Sequence, residues 1–174
     1  MRLNLGCGRD IKEGWMNIDM LPIRADNYIQ WNLLNGFPDQ LRDVTFIKSD
    51  HFWEHLTYNE GVELIRQSFI ILNKGGVFRI SLPKFKDSFK AYVEGNIDHF
   101  KDLWWVEPKT FLGYLNYAVY QNGEHKCLWD EEEIIRVLQM VGFQDCKVVP
   151  FDPSIDPTDP LRTKMSFYVE GTKV

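Results

Sequence analysis

Leu3-Asn4-Leu5-Gly6-Cys7-Gly8 is the stretch whose reading decides the fold. A short apolar strand runs straight into a Gly-x-Gly turn, the arrangement by which an α/β sheet lets a nucleotide-like ligand touch backbone. Trp15-Met16-Asn17-Ile18-Asp19 then gives a second short strand ending in a carboxylate, a group that can hold the two hydroxyls of a ribose. A Gly-x-Gly turn alone has little specificity. It gains specificity from this acid, from a further polar strand end and from the later strand that Gly75-Gly76 opens.

The nearest rival for such a turn is a dinucleotide fold. That fingerprint wants a third small residue three positions after the second glycine, so that helix and strand pack closely. Here Gly8 is followed by Arg9-Asp10-Ile11, and Ile11 stands where Gly or Ala belongs. Segment 9–14 is also too short for a crossover helix, since such a connection usually takes a dozen or more residues. A pyrophosphate seat at a helix N-terminus is therefore poorly provided. A ligand with a nucleoside but no phosphate fits better, which points to S-adenosylmethionine. For its ribose, spacing alone favours Asp26, nearer the usual distance of about 20 residues. Asp26 lies in the polar loop Arg24-Ala25-Asp26-Asn27, however, whereas Asp19 ends an apolar strand, so Asp19 is the expected ribose ligand.

Four segments carry a wider likeness: LNLGCGRDIKEGWMNIDM, SDHFWEHL, LNKGGVFRISLPKF and GEHKCLWDEEEIIRVLQMVGF. In this order they resemble the successive motifs of small class I S-adenosylmethionine-dependent methyltransferases, of the type 11-like group often associated with glycan or cell-surface biosynthesis. The match covers most of residues 3–83 and 123–172, and segment 84–122 matches nothing specific. The resemblance implies a Rossmann-like, doubly wound, mostly parallel sheet. It implies S-adenosylmethionine as cofactor, S-adenosylhomocysteine as product, and methyl transfer to a small-molecule or saccharide acceptor. Leu5, Gly6, Cys7 and Gly8 would approach the methionine part and ribose through the first turn, Asp19 would hold the ribose, and Met20 would pack on the adenine. Asn32 matches the position where relatives place Asp or Asn near the adenine amino group, with Leu33 offering a backbone N–H. Asp50 and His51 end the fourth strand, opposite the sulfonium in this fold, although relatives usually carry Ser or a small residue where Asp50 stands. His51 and His125 are the candidate catalytic residues, His51 as the base for a hydroxyl acceptor and His125 folding back to the acceptor from the Gly123-Glu124-His125-Lys126 motif.

Composition narrows the partners. The 174 residues suit one domain with a sizeable core, residues 1–174, with 84–128 as a helical cap over the acceptor site. A net charge of −5 leaves no basic footprint for a nucleic-acid backbone. Cys7, Cys127 and Cys146 have no paired or metal-type spacing, as expected of reduced thiols in a cytoplasmic protein. Met1-Arg2 leads directly into the first strand, so no signal peptide is expected, and no apolar run reaches the length of a membrane span.

Along the chain, strands are expected near 15–19, 27–31, 44–48 and 77–82. A helix over about 59–72 carries Val62, Ile65, Phe69 and Leu72 on one face and stops at Gly75-Gly76. Segment 84–122 holds ten aromatic residues, Phe85 to Tyr120, and reads as two or three short helices above the C-terminal edge of the sheet. Asp130 caps a further helix with Glu133 as capping-box partner, Ile134, Leu138 and Val141 form its buried stripe, and Gly142 ends it. Strands near 144–151 and 165–172 close the chain. Residues 152–160 between them show no helical pattern, which predicts a hairpin adding an antiparallel edge strand.

His51-Phe52-Trp53-Glu54-His55 also matches the H-x-x-E-H signature of inverted zinc peptidases. On a helix, His51 and His55 would lie one turn apart and share a metal, with Glu54 as base and Glu132 as a third ligand. Methyltransferases of the group above carry a similar H-x-x-E-H at this place, and the chain is short for such a peptidase, so no metal is assigned. A zinc-dependent hydrolase and a non-catalytic adenosyl-binding module remain the alternatives.

Overall fold

The computed structural model describes residues 1–174. Seven strands, β1 (Arg2–Leu5), β2 (Met16–Asp19), β3 (Tyr28–Gln30), β4 (Val44–Asp50), β5 (Leu72–Pro83), β6 (Gln144–Val149) and β7 (Ser166–Thr172), form one sheet. Its order is β3-β2-β1-β4-β5-β7-β6. The first five strands pair in parallel, and β7 runs antiparallel to both β5 and β6. The order reverses between β1 and β4, so a ligand crevice opens at the carboxyl ends of these two strands. This is the Rossmann-like, mostly parallel sheet, with its doubly wound character reduced because no α-helix joins β1 to β2 or β2 to β3. The terminal hairpin inserts β7 one place in from β6.

Strand alternation separates two unlike faces. Leu3, Leu5, Ile18, Ile47, Phe78, Ile80, Leu82 and Val169 point to one side and belong to a 22-residue apolar core. Helices α1 (Tyr58–Ile71) and α4 (Glu131–Val141) cover that side with Leu64, Ile65, Ile134, Val137 and Leu138. The opposite side carries Asn4, Asn17, Lys48 and Arg79, all buried, and it is closed by hydrogen-bonded loops. Asn4 donates to Asp10 O (2.8 Å) and to Asn17 Oδ1 (3.0 Å), while Lys12 N donates to the same Oδ1 (3.0 Å). These bonds let segment 9–14 return to a parallel strand without a crossover helix. Arg79 donates to both carboxylate oxygens of Asp156, at 2.8 and 2.5 Å, and to Pro150 O at 2.8 Å.

Several local readings change. The first long helix ends before Gly75-Gly76, at the Leu72 cap, and β5 already begins there. The two glycines sit in an irregular strand entry, where the pairing with β4 shifts between Val44 and Phe46. The full capping box belongs to Thr57 and Glu60 at the start of α1. At α4, Asp130 accepts from Glu133 N (2.8 Å), but the Glu133 carboxylate is turned outward to Tyr58 and Arg136. Residues 160–165 form a short helix, α5 (Pro160–Met165), where no helical pattern was evident. Its signal lies in the caps: Asp159 accepts from Arg162 N (2.9 Å), and Pro160 sits at the first helical position, where its missing N–H costs nothing.

The middle segment packs as α2 (Phe85–Val93), a 3-10 stretch (Ile97–Leu103) and α3 (Phe111–Tyr120). They share a small core of their own: Phe85, Ala91, Phe100, Leu115 and Val119. Trp104 stays 70% exposed, so the aromatic content of this segment is not all core. No helix is long and apolar enough to cross a membrane.

Candidate functional site

Two neighbouring clefts, each of about 260 Å³, open above the strand ends. The first lies at the ends of β1, β2 and β3 and is lined by Gly6, Asp19, Met20, Asn32, Leu33 and Phe52 among others. Five of the ten expected cofactor residues therefore come together: Gly6, Asp19, Met20, Asn32 and Leu33. Leu5, Cys7, Gly8, Asp50 and His51 do not line this cleft.

Asp19 ties the turn together. Its Oδ2 accepts from Gly8 N (2.8 Å) and its Oδ1 from Leu21 N (3.0 Å). An ionised carboxylate has about four lone-pair sites, so acceptor capacity remains for ligand hydroxyls. Gly6 and Gly8 adopt φ of 57° and 53°, conformations that only glycine adopts at no steric cost. Position 6 is restricted by packing as well, because a Cβ there would lie 2.3 Å from the Phe52 ring. Cys7 is buried, and desolvation together with the Asp19 charge pushes its thiol up to about 12. It is a protonated filler, not a nucleophile. Asn32 accepts from Leu34 N (3.0 Å) through Oδ1, which caps the turn 33–35.

Sequence reasoning missed Trp31, Phe52, His55 and Lys126 as lining residues of this cleft. Trp31 directly follows β3, a position that could have been read from the strand-end rule. Lys126 had no such signal, because it arrives from a loop pinned across the cleft by the backbone bond Lys126 N to Glu54 O (2.7 Å).

The second cleft lies under the cap and is lined by His51, Phe85, Trp105, Tyr117, His125 and Arg162, among others. Both candidate catalytic histidines thus face one cavity, but in different states. His51, at φ 46°, contacts Ser166 Oγ through Nε2 at 2.6 Å. That hydroxyl donates its proton to Arg162 O (2.5 Å), so His51 Nε2 is the donor and Nδ1 carries the lone pair. Nδ1 lies 3.8 Å from the buried Glu54 Oε1. Desolvation pushes His51 down to about 4, which keeps it neutral and makes it a feeble base. His125 donates through Nδ1 to Val119 O (2.9 Å), leaving its Nε2 lone pair free.

Asp50 braces this second cleft. Its Oδ1 accepts from Ser81 Oγ (2.6 Å), and its Oδ2 pairs with Arg162. The carboxylate is thereby committed to β5 and α5.

The H-x-x-E-H stretch does not form the helical pair of a zinc peptidase. Residues 53–55 make a single 3-10 turn, α1 starts only at Tyr58, and His51 is held by Ser166. Glu132 is not among the groups gathered around Glu54.

No protein-family model matches the chain, and no curated protein matches it in sequence. Solved structures do. It is similar to an S-adenosylmethionine-dependent methyltransferase from Archaeoglobus fulgidus, with 16% identity over 99% of this chain and 85% of that one, at a TM-score of 0.60. It is similar to PigF with S-adenosylhomocysteine, at 12% identity, 99% and 56% coverage and a TM-score of 0.57. The plantazolicin methyltransferase BpumL in complex with S-adenosylhomocysteine follows at 14%, 99%, 76% and 0.55. The chain thus spans little more than half of PigF. At these identities the likeness is one of fold: this chain has the fold of S-adenosylmethionine-dependent methyltransferases.

Proposed function

We propose that the protein is an S-adenosylmethionine-dependent methyltransferase acting on a small-molecule or saccharide acceptor. The observation that carries this reading is the strand-end cleft, where a carboxylate with spare acceptor capacity meets a glycine turn of positive φ at the point where strand order reverses. The neighbours of this fold whose structures hold S-adenosylhomocysteine support the choice of cofactor. In this reading Asp19 accepts hydrogen bonds from the ribose hydroxyls, Asn32 and Leu33 face the adenine, and the backbone of the Gly6–Gly8 turn follows the methionine part. Met20, more than half exposed, covers the adenine from outside.

The acceptor enters the cap cleft. S-adenosylmethionine held in the strand-end cleft would supply an electrophilic methyl with a neutral thioether as its leaving group, so the nucleophilic atom would need an in-line approach and no general acid from this chain. Holding the two partners in line contributes most, up to about 7–11 kcal/mol. A hydroxyl acceptor must also lose its proton. Of the two histidines His125 is the better base, because its Nε2 lone pair is free, whereas His51 is bound to Ser166. Asp50 acts with Arg162 to hold the cap cleft, and a cytoplasmic location accords with three free thiols.

Calorimetry with S-adenosylhomocysteine tests the cofactor assignment. Micromolar binding is expected, and Asp19→Ala should lose about 1.5–3 kcal/mol, the usual worth of hydrogen bonds to a charged group. Absence of binding by the unmutated protein at millimolar ligand would refute the enzyme assignment.

A further inference from the structure

Glu54, His55 and His125 bring one ligand atom each to within 4.8 Å of one another, at the seam between the two clefts. His55 lines the strand-end cleft and His125 the cap cleft. Three independent features give the cluster the character of a site. Both imidazoles spend Nδ1–H on backbone carbonyls, His55 on Glu124 O (3.2 Å) and His125 on Val119 O (2.9 Å). That is the outer-shell arrangement that fixes the tautomer of a metal-ligating histidine and leaves Nε2 as the donor lone pair. The rings meet edge to face at 5.0 Å, with neither closed off from solvent.

Glu54 supplies the second feature. Its side chain has no exposed surface, yet neither carboxylate oxygen has a hydrogen-bond partner. A fully buried, unpartnered carboxyl group costs several kcal/mol unless it is neutralised or paired, and a cation would pair it. Third, the cluster is pre-assembled by the main chain: Glu54 O accepts from both Lys126 N (2.7 Å) and Cys127 N (3.2 Å), which holds the His125 loop against the 53–55 turn.

We propose that Glu54, His55 and His125 form a binding site for a divalent first-row cation, zinc in the first place. Two imidazoles and one carboxylate are a donor set that zinc accepts, and three protein ligands leave a fourth position open. Tetrahedral zinc with bonds of about 2.0–2.1 Å needs its ligand atoms roughly 3.4 Å apart, so the cluster would close by at most about 1.4 Å on loading. The open position would be available to the cap cleft. If the methyltransferase reading holds, on which only this last consequence rests, His125 would serve as a ligand, and the cation would bind the acceptor oxygen and lower its pKa, so that its proton leaves to a solvent water instead of to a free imidazole.

The test uses chelator-stripped full-length protein, titrated with Zn²⁺ alone by calorimetry, with metal content measured after gel filtration. One zinc per chain is expected, together with a higher melting temperature. His125→Ala and His55→Ala should each weaken binding by at least the roughly 10–100-fold that loss of an outer-shell partner costs, while His51→Ala, which removes an imidazole outside the donor set, should change it little. Glu54→Gln keeps the shape of the buried side chain and should also lose the metal. His125 lies on a partly exposed loop, so its variant is expected to fold, and circular dichroism of each stripped variant checks this; His125→Gln replaces it if it does not. No zinc uptake, or uptake that survives loss of His125, overturns the proposal. S-adenosylhomocysteine binding to the same stripped protein separates the two readings: cofactor without zinc defeats this inference alone, and zinc without cofactor defeats the methyltransferase alone.

Discussion

The two faces of the sheet reach the same degree of burial by opposite means. On one face Ile80 and its neighbours are removed from water by two helices. On the other, one residue earlier on the same strand, Arg79 is only 2% exposed and is closed in by a loop that carries Asp156. The apolar face is held by non-directional packing, which tolerates many side chains of suitable volume. Lys48 apart, the polar face is held by directional hydrogen bonds, each of which depends on its particular partner. The crossovers from β1 to β2 and from β2 to β3 contain no α-helix, so this face has only loops to cover it.

This contrast can be broken residue by residue. Arg79→Ala leaves Asp156 buried with a single backbone donor, Asp152 N, and should cost about 3–5 kcal/mol in urea unfolding, the usual penalty for breaking a buried pair. Ile80→Ala, on the packed face, should cost about 2–5 kcal/mol through lost transfer energy and a cavity. The two should also differ in kind. Replacing Asp156 as well should recover part of the Arg79→Ala loss, because no buried carboxylate is then left unpaired, whereas it should leave the Ile80→Ala loss nearly unchanged.

Lys48 gives the smallest effect and the opposite sign. It is fully buried on the polar face, its Nζ has no hydrogen-bond partner, and Asp10 lies 3.5 Å away. Burial lowers its pKa to about 8. Below that value the folded state carries a poorly solvated cation, and the penalty is fully present. Between pH 8 and the unfolded value of 10.5 the unfolded chain binds more protons, so stability rises with pH and the penalty disappears. Lys48→Met should therefore raise stability by about 1–3 kcal/mol at neutral pH, with the gain fading above pH 8. Thermal melts of both proteins from pH 6 to about 10 check this; a gain that grows with pH would contradict it.

The strand-end cleft was more legible than the cap cleft for the same reason that the apolar face was more legible than the polar one. Gly6, Asp19 and Asn32 lie at strand ends, and the period-2 alternation that marks a strand also marks where it stops. His51 and His125 were named from motifs, and the structure does place them on one cavity. What the motifs do not carry is their state: His51 depends on Ser166, 115 residues away, for its tautomer. The ion pair of Asp50 with Arg162 was equally hidden, since α5 had to form before its arginine could reach β4.

What the sequence by itself determined is therefore local: strand patterns, glycine turns, the Asp130 cap and the short ordered motifs, all set by backbone preference and short-range periodicity. Tertiary structure alone decided which polar groups meet. The polar sheet face pairs Arg79 with Asp156, and the seam between the clefts joins Glu54 and His55 to His125. Such contacts span scores of residues and carry no periodic signature. Their energy appears only once the chain has excluded water around them, which is why they can be seen in the folded molecule and not in its letters.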